Sequence, residues 1–180
     1  GYEDIEPRWF GGIRGGHVAI QIAENRVLSF RSTEYPCHVF GRVSKRKFAS
    51  IFEYRTVQGA WQTFPPHNYI IDSLQRSEVV IPISAAQRAL LDSLAATYTQ
   101  QAPYDYAIFG MRCASAAYKV LQQIGVVQAH RHGNWLRIFA PRALRKRLYK
   151  LAYKNKDRGW IKRTYTGGKS RKWERDVGRY

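Results

Sequence analysis

Apolar and polar residues alternate most cleanly near the start of the chain. In His17-Val18-Ala19-Ile20-Gln21-Ile22, the residues Val18, Ile20 and Ile22 keep a period of two, which predicts a strand. Residues 23–26 read as a turn and 27–30 as the return strand of a hairpin. Further strands are expected at 37–43 and 50–57. Residues 59–68 hold Trp61, Phe64, Pro65 and Pro66 and read as a loop with aromatic anchors. Residues 78–83 (EVVIPI) read as a buried strand.

The period then changes. Ser84 is a good N-cap, and Gln87 three residues on completes a capping box. Leu90, Leu91, Leu94 and Tyr98 follow at helical spacing, and Gln101-Ala102-Pro103 ends that helix. A short aromatic segment, 104–110, leads to a second helix over about 113–124. Its stripe of Cys113, Ala116, Ala117, Val120, Leu121 and Ile124 is wholly apolar, and Gly125 is placed to terminate it. From Pro141 a third helix carries Leu144, Leu148, Leu151 and Ala152 on one face, with Arg and Lys on the other. Strands followed by helices argue for an α+β fold.

Composition narrows this picture. The chain has 180 residues, 44% hydrophobic and 14% aromatic, enough for one domain with a real core. No run approaches the ~18 apolar residues of a membrane span. Two cysteines are too few for a disulfide scaffold or a cysteine-rich zinc module.

Charge sets the last stretch apart. The formal net charge is +17, of which +12 falls in residues 142–180. The boundary therefore divides an ordinary globular part, 1–141, from a basic helical and irregular extension, 142–180. A docked helix with a solvated basic face is the simpler expectation for 141–156. Its charge would still draw an anionic cell-wall polymer or membrane surface. Past Gly159, Lys and Arg alternate with Trp160, Tyr165, Trp173 and Tyr180. That composition suits stacking on bases or sugars, or a tail folded back on the domain. Nucleic acid is disfavoured as the partner. The chain begins Gly1-Tyr2-Glu3 and its one methionine is Met111, so any export signal lies outside this sequence.

Candidate chemistry centres on Cys113. A cysteine at a helix N-terminus meets unpaired backbone N–H groups and the positive end of the macrodipole, which favour the thiolate, and Arg112 adds to this. The simpler alternative is a small buried hydrophobe. A disulfide between Cys37 and Cys113 is a further alternative if the protein is exported. A reactive cysteine needs a base. His17 opens the first strand, just after Gly11-Gly12-Ile13-Arg14-Gly15-Gly16. That glycine-rich run lacks a Gly-Lys-Ser/Thr ending and leads to a strand, so it is not a phosphate loop. Its glycines, Gly16 included, would let a substrate or backbone approach closely. His130 and His132 have no partner spacing that points to a metal.

The order of these features resembles the circularly permuted NlpC-type papain-like superfamily. That group includes lecithin retinol acyltransferase-like proteins and many bacterial hydrolases. The resemblance rests on Gly16-His17 opening a strand and on the helix starting Ile83-Ser84 with Gln87, Leu90 and Leu94. It also rests on Tyr104-Asp105-Tyr106 and Phe109 before a helix that begins at Cys113. It spans roughly residues 11–125 and places the histidine before the cysteine, as permuted members do.

The resemblance implies a papain-like fold, an antiparallel sheet packed against helices, with 1–141 as its catalytic domain. It implies Cys113 as nucleophile, His17 as general base and no cofactor. Ser29, 12 residues after His17, takes the place of the third, histidine-orienting residue. Tyr104 and Tyr106 would supply a donor or a pocket wall, and Arg112 occupies a place where the family often has asparagine. A histidine or acid is more usual than Ser29, so His38 and Glu53 are alternatives for the third role, and a retired enzyme is another. The implied activity is a cysteine hydrolase, a peptidase, amidase or acyltransferase. It would attack an amide or ester of a cell-wall peptide or lipid-linked substrate, in a bacterial periplasm or cell envelope. The competing reading is a non-catalytic basic module that binds an anionic polymer, lipid surface or nucleic acid.

Overall fold

In the computed structural model the described residues are 17–24, 26–32, 59–64, 76–104, 111–128 and 141–165. The expected strands at 37–43 and 50–57 lie outside them. The hairpin forms as the alternation predicts. Strand β1 (Ala19–Ala23) pairs antiparallel with β2 (Arg26–Ser32), and Ala23 faces Arg26 across the turn. Register sets the faces. Ala19 faces Ser29 and Ile20 faces Leu28, so Ile20, Leu28 and Phe30 share one face; the register shifts between Gln21 and Ala23, and Ile22 within that irregularity is buried with them. That face joins the core, where Ile22, Leu28 and Phe30 are fully covered.

Two expectations for strands are corrected. Residues 59–64 do not form a loop: β3 (Gly59–Phe64) pairs with β2 along its whole length, from Ser32↔Gly59 to Val27↔Phe64. Beyond β1, the second edge of β2 carries backbone donors and acceptors that need partners. Trp61, Thr63 and Phe64 are residue types that suit an extended chain. The buried strand expected at 78–83 is instead β4 (Arg76–Val80). It pairs with β5 (Ile161–Tyr165) in a separate two-stranded sheet. Among the described residues this ladder has two strands and so no inner one, and Val80 is exposed.

Helix α1 (Ala85–Gln100) starts on the capping box read from the sequence. Ser84 Oγ accepts from Gln87 N–H at 3.2 Å, and Gln87 Oε1 accepts from Ser84 N–H at 2.9 Å. Its inward residues are Leu91, Ala95 and Tyr98, while Leu90 points to solvent. Helix α2 (Cys113–Gln123) packs on β1 and β2. It is buried well beyond one stripe, because Ala114, Ser115 and Tyr118 are covered as well as the predicted face. Its end is a full Schellman motif. Gly125 takes φ 73°, its N–H bonds Gln122 O at 3.0 Å, and Val126 N–H bonds Leu121 O at 2.9 Å. Gln87 reaches across to this end, its side-chain amide donating to Ile124 O at 2.9 Å.

Helix α3 (Pro141–Lys154) docks on α2, β4 and β5. Leu144 belongs to the central core, and Tyr149 and Ala152 are buried. Leu148 and Leu151 pack at the margin. Tyr149 was not among the residues the spacing assigned to this face. Its ring lies under Lys162 Nζ at 5.1 Å, a cation–π contact between α3 and β5. Among the described residues the architecture is thus α+β, with three helices against small antiparallel sheets.

Candidate active site

The site is assembled from the entrance to β1, the middle of β2 and the first turn of α2. Parity places His17 on the same side of the sheet as Ala19 and Ser29, because Ala19 faces Ser29 and His17 lies two residues further back. The contact follows: His17 Nε2 lies 2.5 Å from Ser29 Oγ. Ser29 is fully buried and His17 half-buried. A buried hydroxyl requires a partner, and the imidazole supplies it.

Cys113 is the first residue of α2 and is present as a thiol, 4% exposed. The backbone N–H of Val18, the residue after His17, is near enough to Cys113 to lower its thiol pKa. Helix α2 and strand β1 are packed together, so the start of α2 lies near the chain that enters β1. The helix start is held locally: Arg112 N–H donates to Ser115 Oγ at 2.8 Å, and Ser115 Oγ–H donates back to Arg112 O at 3.2 Å.

From the sequence, the helix terminus and Arg112 are expected to favour the thiolate. Their direction is as expected. The backbone N–H groups of Val18, Ala114 and Cys113 and the Arg112 guanidinium all lower the thiol pKa. Burial acts oppositely and is the largest influence, so the Cys113 pKa lies above its ordinary 9.0. The resting group at neutral pH is therefore a neutral thiol.

The remaining expected residues fall in different places. The Tyr104 ring meets Phe30 edge-on at 5.1 Å and Tyr98 at 6.3 Å. Phe30 is on the face of β2 opposite Ser29, so Tyr104 packs on the core side. Gly16, Tyr106, Cys37, His38, Glu53, His130 and His132 lie outside the described residues. Among the described residues no three His, Cys, Asp or Glu side chains converge as metal ligands would. Sequence reasoning missed Val18: a main-chain donor leaves no side-chain signature, and only its place next to His17 could have pointed to it. No family model, curated protein or solved structure matches the chain.

Proposed function

We propose that the protein is a cysteine hydrolase of permuted papain-like organisation, with Cys113 as nucleophile, His17 as general base and Ser29 as the residue that orients the base. One observation carries this reading. The imidazole is held by a buried hydroxyl on β2, and the next backbone N–H along the chain is near enough to Cys113 to lower its thiol pKa.

The chemistry follows from these positions. With Nε2 turned to Ser29, Nδ1 is the nitrogen that handles the thiol proton, so Nε2–H donates to Ser29 Oγ. Because burial keeps the thiol neutral, the proton leaves as the sulfur attacks, rather than in a resting ion pair. The S–C bond forms at the substrate carbonyl. The carbonyl oxygen takes the negative charge, which N–H groups of the α2 first turn would hold. His17 then gives its proton to the leaving amine or alcohol as that bond breaks, leaving a thioester. A water molecule loses a proton to His17 and attacks the thioester, releasing the acid and restoring the thiol. An amide or ester of a cell-wall peptide or a lipid is the proposed substrate class.

An activated ester tests the reading. With p-nitrophenyl acetate the protein should release a stoichiometric burst of nitrophenolate and carry acetyl on Cys113 by mass spectrometry. Cys113→Ser should abolish both. His17→Ala should slow the burst about 10²-fold, and Ser29→Ala about tenfold, the worth of one neutral hydrogen bond. A burst that survives Cys113→Ser, or is unchanged in His17→Ala, sinks the reading.

A further inference from the structure

A second feature lies away from the Cys113–His17 junction, where the chain leaving α2 meets the outer side of α3. A cavity of about 300 Å³ opens there. Val126, Val127 and Leu151 form its apolar wall, and Arg147, Lys150 and Lys154 bring three cations to it. The three lie three and four residues apart, one stripe of a helix, where like charges repel one another. No carboxylate lines the cavity among the described residues. Arg147 Nε is buried and has no hydrogen-bond partner among them. A buried N–H donor left in that state is costly, and an acceptor in the cavity would satisfy it.

We propose that this cavity binds a phosphate monoester carrying an aliphatic arm. A phosphate dianion offers acceptor oxygens for Arg147 Nε–H and for both lysine ammonium groups at once, and guanidinium geometry suits phosphate. The carbon arm lies on Val126, Val127 and Leu151. Such a ligand reaches the protein either as a lipid headgroup or as a soluble phosphate ester. The site is independent of the thiol chemistry, and it gives the basic C-terminal stretch one defined point of attachment.

The test is titration of the full chain at low ionic strength with octyl phosphate, and separately with phosphatidylcholine vesicles containing phosphatidic acid. Arg147→Gln and Lys150→Gln each remove a cavity cation. Lys156→Gln removes an equal charge beyond the cavity. Octyl phosphate affinity should fall about tenfold in each cavity variant, the worth of a charge-assisted hydrogen bond, and less than twofold in Lys156→Gln. Lys150 is exposed, so its variant gives a reading even if Arg147→Gln folds poorly. Vesicle binding that follows the same order identifies a headgroup. Vesicle binding indifferent to the cavity variants, with octyl phosphate still sensitive, identifies a soluble ester. If the cavity variants weaken every probe no more than Lys156→Gln does, the attraction is diffuse charge and the site does not exist.

Discussion

Cys113 shows how opposing local effects are decided by magnitude. The helix terminus, Arg112 and the Val18 N–H all favour the thiolate, yet the loss of solvent outweighs them. This has a consequence for stability. Below pH 9.0 both folded and unfolded chains hold the thiol proton, and the folded state keeps its full contribution. As pH rises past 9.0 the unfolded chain ionises first and the folded state loses ground, by about 1.4 kcal/mol per pH unit, until the folded thiol ionises as well. Urea midpoints at pH 7 and pH 10 should therefore differ more in the wild-type protein than in Cys113→Ala. Equal differences would mean that burial does not perturb the thiol. The pairing of His17 with Ser29, 12 residues on, was legible in the sequence; the balance of forces on Cys113 was not, because burial comes from residues far along the chain.

At the scale of elements, local signals proved readable and long-range ones did not. The α1 capping box and the glycine after α2 each depend on contacts within a few residues, and both are present where the sequence places them. Strand β3 depends on an open edge of β2 some thirty residues earlier, and β4 on a partner near the far end of the chain. Neither dependence leaves a mark in its own segment. The face of α3 is a mixed case, since Tyr149 reads as amphipathic until Lys162 is seen above its ring. Two left-handed glycines among the described residues allow a comparison. A Cβ on Gly125 would sit 3.8 Å from Gln87 Nε2, an ordinary contact, so Gly125→Ala should cost only the conformational penalty, about 1 kcal/mol. A Cβ on Gly159 would come within 3.2 Å of Pro82 Cγ, a rigid ring. Gly159→Ala should therefore be the more destabilising of the two in thermal or urea unfolding, and the reverse order would overturn this account of the turn.

Over the whole molecule, the step in charge near residue 141 is not matched by a step in packing. Leu144 lies in the same core as Phe30 and Ala117. β5 completes the ladder of β4, so 141–165 is bound into the structure that carries the candidate site. The alternation and the helical spacings sufficed for the α+β class, but not for how the sheets divide. The order of elements brings the start of β1 to the start of α2, and the central claim is that this junction holds a nucleophile and its base. The rate at which iodoacetamide alkylates Cys113, measured against pH in the wild-type protein and in His17→Ala, tests that claim most directly. At neutral pH the wild-type rate should exceed that of His17→Ala about 10²-fold. The two should converge only at pH values where the buried thiol ionises unaided, above 9.0. Superimposed profiles, or labelling of Cys113 only after denaturation, would contradict the account.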